Sequence, residues 1–299
     1  MLRSITTFLL LVSGCAMNKT SESNFLQSDL RVMSFNIRFA TAPDGENHWD
    51  LRQDAAVKAI QAFDPDILGT QETLLVQRDF IPVRLPQFAA VGVGRDDGKE
   101  KGEMTAAFYR RDRFELLDSG HFWLSETPQT PGSKSWDTAI TRMATWLKLR
   151  DRNDPTTRPL LVINAHFDHV GKVAREESAK LIRRQAETLG EGCSVLIIGD
   201  FNCTESDAPY AQLAGQRVGA TTLIDTYRQV HSERAENEAT FTAFKPEAIK
   251  GNRIDFIFAS DDLNPTAAGI DRNLYDGRLP SDHFPVTATL RRTGRPAKP

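Results

Sequence analysis

Val195-Leu196-Ile197-Ile198-Gly199-Asp200-Phe201-Asn202 is an apolar run that stops abruptly at a glycine, a carboxylate and an amide. A short unbroken apolar stretch bounded by turn residues reads as a buried strand, here Val195–Gly199, with polar groups at its end. Upstream, Lys172–Leu189 carries Leu181, Ile182, Ala186 and Leu189 at helical spacing, and Leu160–Ala165 is another apolar run. The same strand–helix–strand order occurs near the start. Arg31–Ile37 alternates as a strand, and Trp49–Phe63 places Val57, Ile60 and Phe63 on one helical face. Asp64-Pro65 stops that helix, and Asp66–Gly69 is a short buried strand. Between and after these units, strands are expected at Thr105–Tyr109, Phe114–Trp123, Ala144–Leu149, Arg253–Ala259 and Val286–Leu290. The pattern argues for an α/β protein of packed sheets with helices outside.

The chain has 299 residues, 40% hydrophobic and 26% charged, which suits a globular protein with a sizeable core and excludes a disordered or multi-span membrane chain. With 37 Lys+Arg against 40 Asp+Glu, it lacks the basic excess of a general polyanion binder. Three cysteines are too few and too scattered for a disulfide framework or a thiolate zinc site. Cys193 and Cys203 flank the Val195–Gly199 strand, which holds them roughly 20 Å apart, beyond disulfide reach.

Polar residues cluster where the apolar strands end. The clusters are Ser34-Phe35-Asn36-Ile37-Arg38, Gln71-Glu72, Asn164-Ala165-His166-Phe167-Asp168-His169, Gly199-Asp200-Phe201-Asn202, Arg253-Ile254-Asp255-Phe256-Ile257 and Ser281-Asp282-His283-Phe284-Pro285-Val286. Each alone has a structural explanation, as a turn, a cap or a helix-start acid. In this order they closely resemble the endonuclease/exonuclease/phosphatase superfamily, over about Leu30 to Leu290, with Gly-Asp-Phe-Asn and Ser-Asp-His-Phe-Pro-Val as the most specific motifs.

The resemblance implies a four-layer α/β/β/α sandwich of two mixed sheets, filling residues 30–291, with 292–299 as a tail. It also implies metal-assisted attack of water on phosphorus. Asn36 and Glu72 match the family's metal-binding pair, with Asp282 and Asp200 as direct or water-mediated contributors, and the oxygen-rich set favours Mg2+ or Mn2+. His283 matches the histidine that activates water, and Asp255 the carboxylate that fixes its tautomer. Asp200 and Asn202 match the pair positioning nucleophile and phosphoryl oxygen, and His166 a second histidine that binds phosphate or protonates the leaving group. Glu103 sits where the deoxyribonuclease branch has the carboxylate partner of that histidine, and Arg142 where a phosphate-contacting donor falls. Asp168 and His169 have no assigned role.

The family covers nucleic acids, phospholipids, inositol phosphates and sugar phosphates, so the fold does not choose a substrate. The absence of a long Lys/Arg stripe disfavours a nuclease, without excluding nucleic acid. Trp49 in Asp44–Trp49 and Arg95 in the Gly92–Gly98 loop are read as substrate walls for a small hydroxyl-rich phosphoester, although a helix-start tryptophan also packs commonly on a core. A catalytically silent binding module is the alternative from another class. A monomer is expected.

The N-terminus reads separately. Met1-Leu2-Arg3, a short apolar run to Val12, and Val12-Ser13-Gly14-Cys15 resemble a bacterial lipoprotein signal, since the run is shorter than the ~20 residues that span a bilayer. This implies cleavage after residue 14, acylation of Cys15, a polar tether to residue 29 and residence at the outer membrane of the bacterial envelope. The alternative is a translation start at Met17.

Overall fold

The computed structural model describes residues 29–293; the lipobox-like segment with Cys15, most of the tether and the end of the tail lie outside the described residues. The first half runs β1 (Leu30–Asn36), α1 (Trp49–Phe63), β2 (Ile67–Gln71), α2 (Leu75–Arg84), β3 (Phe88–Val91), β4 (Ala107–Arg110), β5 (Phe114–Trp123) and β6 (Met143–Asp151). The second half runs β7 (Leu160–His166), α3 (Lys172–Leu189), β8 (Ser194–Asp200), α4 (Ala208–Ala211), β9 (Arg217–Val218), β10 (Thr221–Asp225), α5 (Thr226–Val230), β11 (Asp255–Ser260), β12 (Leu263–Ile270) and β13 (Val286–Arg292). β13 extends through Arg292, just past the expected domain boundary.

Two mixed sheets form, in the orders β12-β13-β1-β2-β4-β3 and β5-β6-β7-β8-β11-β10-β9. The parallel pairs are β1–β2 and β7–β8, each joined by one crossover helix, α1 or α3. This is the expected sandwich. Val32, Ile67 and Val286 from one sheet meet Val162, Leu196 and Ile257 from the other in the middle core. On the outer faces, Ala56, Val57 and Ile60 of α1 cover the first sheet, and Ala179, Ile182 and Ala186 of α3 cover the second. Each fully buried aliphatic side chain contributes roughly 1.5–3 kcal/mol of transfer free energy, so these stripes hold the helices in place.

The helices α1 and α3 span the residues their periodicity predicts. Helix α2 does not announce itself, because Pro82 interrupts its pattern. Its start is secured by Gln77, whose Oε1 accepts from the backbone N–H of Leu74 and of Ala40, each at 3.0 Å. Strand β12 is also hidden by a proline, Pro265, which is tolerated because β12 is an edge strand with a register shift there. Cys193 and Cys203 are both buried free thiols.

Asn164 is not a strand-end polar group, as its cluster suggested, but a tie between sheets. Its Nδ2 donates to the carbonyls of Thr70 (2.8 Å) and Ala106 (2.9 Å), while its Oδ1 accepts from Gln71 Nε2 at 2.7 Å. Gly69 makes room: a Cβ there would lie 2.9 Å from the Asn164 side chain and 2.5 Å from Ile198. Asn164→Ala strips these bonds from a buried interface and should lower stability by about 2–4 kcal/mol in urea unfolding; a loss under about 1 kcal/mol would show that the tie is dispensable.

Burial lowers the His121 imidazole on β5 to about 4. Unfolding therefore takes up a proton between the ordinary value near 6.5 and about 4, and this residue's contribution to stability falls as pH drops through that window. His121→Gln should flatten the loss of melting temperature between pH 7.5 and pH 5. An unchanged acid limb would contradict the burial of a neutral imidazole.

Candidate active site

The crossover topology brings the carboxyl ends of β1, β2, β7 and β8 to one edge of the sandwich, as Asn36, Gln71, His166 and Asp200. Antiparallel pairing adds strand starts to the same edge. Asp255 at the start of β11 lies opposite Asp200, and Asp282 and His283 lead into β13, which pairs with β1. Several of these turns use left-handed backbone at non-glycine residues: Arg38 (φ 54°), Glu72 (φ 55°) and Asn202 (φ 46°). Such conformations are disfavoured and persist only where surrounding contacts enforce them. Gly199 (φ 153°) is required before Asp200, since a Cβ would sit 2.0 Å from the Ala165 carbonyl oxygen.

The edge opens into a cavity of about 520 Å3 lined by Glu72, Asp200, Asp282, His283, His166 and Asn202, with Arg142 and His169 beside them. Asp200 is its hub. Its Oδ2 accepts from Asn36 Nδ2 at 3.0 Å and lies 3.5 Å from His166 Nε2 and 3.8 Å from His283 Nε2. Its Oδ1 accepts from the Asn202 backbone N–H at 3.0 Å. Burial, with the neighbouring Asp255 charge, pushes Asp200 up to about 7. His283 Nδ1 lies 2.9 Å from Asp255 Oδ2. Burial alone would lower this imidazole, but Asp255 outweighs it and raises His283 to about 10. Nδ1 is thereby committed to Asp255, which leaves Nε2 toward Asp200.

His166 has the opposite environment. Arg142 Nη1 donates to its Nδ1 at 2.8 Å, and burial, then this guanidinium, hold the ring well below the usual imidazole value. With Arg142 donating to Nδ1, a neutral His166 carries its proton on Nε2, which lies 3.5 Å from Asp200 Oδ2 and 3.2 Å from Asn202 Nδ2. The expected carboxylate partner does something else: Glu103 lines the cavity but takes Arg95 in a two-point pair, both contacts 2.7 Å. The guanidinium fork fits a carboxylate better than an imidazole does. Arg95 is accordingly neutralised and does not line the main cavity, contrary to its reading as a substrate wall. Trp49 is also corrected. It is 3% exposed, packs edge-on against Phe80 at 5.8 Å, and belongs to the core under α1.

The residues fit a hard divalent cation. Glu72, Asp200 and Asp282 offer oxygen to one cavity, and burial with the nearby Glu72 charge raises Asp282, apart from the relief that His283 and Arg38 provide. Repulsion among buried carboxylates is what such an ion offsets. Single oxygen or nitrogen atoms of Asp200, Asp255 and His283 also lie within 4.8 Å of one another. Asn36 sits among these carboxylates: its Nδ2 faces Glu72 Oε1 (3.1 Å) and Asp200 Oδ2 (3.0 Å), and its Oδ1 accepts from the Arg38 backbone N–H. In this orientation it aligns the carboxylates.

Several lining groups escape sequence reasoning. Arg38, paired with Asp44 at 3.0 Å, forms one flank, and Phe39, Ile140, Phe241, Phe244 and Ile254 form an apolar wall. Phe241 is 48% exposed, and its ring meets His283 edge-on at 5.1 Å. Arg38 and Ile254 fall within the strand-end clusters, but Phe241 and Phe244 lie in a loop with no periodicity. Asp168 is a loop clamp, its carboxylate accepting from the backbone N–H groups of Ala139, Ile140, Val170 and Gly171, which hold it down at about 2 against its burial.

The family model described as Endonuclease/Exonuclease/phosphatase family matches residues 33–283. No curated protein matches the chain. Among solved structures, a mannosyl-6-phosphatase from Bacteroides thetaiotaomicron is 36% identical with a TM-score of 0.79, the alignment covering 88% of this chain and 99% of that one. An endonuclease/exonuclease/phosphatase family protein from Bacteroides vulgatus is 34% identical, TM-score 0.79, over 89% of this chain and 99% of its own. The human Nocturnin catalytic domain, at 20% identity and TM-score 0.71 over 89% and 95%, shares the fold.

Proposed function

Because the chain belongs to the endonuclease/exonuclease/phosphatase family, we propose that it is a divalent-metal-dependent phosphoesterase acting on small phosphorylated sugars or polyols. The observation that carries this reading is the make-up of one cavity of about 520 Å3. An oxygen-ligand set, three imidazoles and two guanidiniums share it with an apolar wall that includes Phe241 and Phe244. A phosphate fits the polar floor, and the apolar wall offers aromatic faces to a ring. The 36% identity to a mannosyl-6-phosphatase supports the same class.

Glu72, Asp200 and Asp282, aligned by Asn36, are the residues that would hold Mg2+ or Mn2+. When bound there, the ion polarises the phosphoryl oxygen and shields transition-state charge. Asp200 and Asn202 orient the attacking water and the phosphoryl group. His283 takes or returns a proton at Nε2, since Nδ1 is engaged by Asp255. Arg142 and the Nε2–H of His166 donate to phosphoryl oxygens.

Purified protein should hydrolyse p-nitrophenyl phosphate and hexose 6-phosphates only with Mg2+ or Mn2+. His283→Ala and Asp200→Ala should each reduce kcat by about 100-fold or more. Cation-independent turnover, or variants as active as wild type, would refute the assignment. Efficient plasmid nicking without sugar-phosphate turnover would replace it with the nuclease reading.

The lipobox-like segment supports a second, separable proposal, that Cys15 is acylated and tethers the domain to the bacterial envelope, the outer membrane being favoured. Radiolabelled palmitate should enter the wild-type protein and not Cys15→Ser; label retained in the variant would disprove the anchor.

A further inference from the structure

His169 has no part in the chemistry above, yet its surroundings are built. It lines the cavity and is exposed, whereas His166 is 5% exposed at the floor. One guanidinium holds both rings: Arg142 Nη1 donates to His166 Nδ1 at 2.8 Å, and Arg142 Nη2 to His169 Nδ1 at 3.2 Å. Arg142 is itself 5% exposed. A guanidinium only donates, so Nδ1 of His169 must accept, and in a neutral ring the proton then sits on Nε2. That Nε2–H has no hydrogen-bond partner among the described residues.

The backbone around His169 is fixed from both sides. The Asp168 carboxylate ties the 168–171 turn to the loop at Ala139 and Ile140. Asp137, from that same loop, accepts from the backbone N–H groups of Val173 and Ala174 at the start of α3. Arg175 donates to the Asp168 carbonyl at 3.0 Å. The outcome is an imidazole at the rim, held at Nδ1 by Arg142 on a clamped backbone, with one unused donor. The floor, with Asp200, Asn202 and His166, takes the phosphate; the rim meets what the phosphate is attached to.

We infer that His169 is a specificity-determining residue whose Nε2–H donates to a hydroxyl oxygen of the sugar carried by the phosphate. The inference rests on the sugar-phosphate reading and deepens it, since it divides recognition into a phosphate floor and a hydroxyl-reading rim coupled through Arg142. A donor that bound substrate covers discriminates against substrates lacking the matching acceptor, because it is then shut off from water without a partner.

The test compares glucose 6-phosphate and mannose 6-phosphate with p-nitrophenyl phosphate, whose leaving group carries no sugar hydroxyls. The wild type, His169→Ala and His169→Gln, all with saturating Mg2+, are measured. In His169→Ala, the ratio of kcat/KM for the better hexose phosphate to that for p-nitrophenyl phosphate should fall about ten-fold, carried mostly by KM. His169→Gln, which keeps an N–H donor, should recover part of the ratio. Equal losses on both substrates would place His169 on the phosphate or make it merely structural, and would overturn the inference. So would an unchanged ratio. These outcomes leave the sugar-phosphate reading standing as long as the wild type turns over hexose phosphates. A wild type active only on the aryl phosphate would defeat that reading and this inference together.

Discussion

The two sheets are held in register by a few hydrogen bonds in an otherwise buried, apolar interface. Asn164, on β7, satisfies two carbonyls of the opposite sheet and receives Gln71 from β2. Apolar packing between sheets is non-directional and would tolerate sliding; an amide that must meet its partners would not. Asn164 lies two residues before His166, and its partner Gln71 directly precedes Glu72. It therefore fixes the relative position of the strand ends on which the site depends, and Gly69 is small because that approach leaves no room for a Cβ.

From that register follows a concentration of buried charge that does not favour stability. Asp200 and Asp255 face one another across β8 and β11, and Glu72 and Asp282 approach the same space. Burying carboxylates costs several kcal/mol each unless they are compensated, and left-handed Glu72 and Asn202 add strain. Asn36, His283 and Arg38 offset part of this. The arrangement is that of a site prepared to receive a cation and a phosphoryl group.

The two imidazoles of the floor differ because their neighbours differ. His283 rests on a carboxylate and is held toward its charged form, whereas His166 rests on a guanidinium and is held neutral. Opposite neighbours thus set two imidazoles of one cavity to opposite protonation tendencies, the pattern that separates acid and base roles where a site uses both. Arg142 also reaches His169, so the floor and the mouth of the cavity share one cation.

Much of the fold was legible from the chain. Amphipathic α1 and α3 and apolar runs such as β7 and β8 write their burial into residue spacing, and the strand–helix–strand units imply parallel pairs. The motif residues Asn36, Glu72, Asp200, Asp255, Asp282 and His283 were readable through resemblance, because turn chemistry and ligand type are local. What spacing could not carry was partner choice. Only the tertiary structure decided that Arg142, not Glu103, holds His166, that Glu103 is spent on Arg95, that Trp49 belongs to the core, and that Phe241 and Phe244 wall the cavity. Those contacts join residues remote in sequence, and which donor reaches which acceptor depends on the distance and angle at which separate loops arrive. Local sequence sets the character of each strand end; packing of the two sheets sets what each end meets.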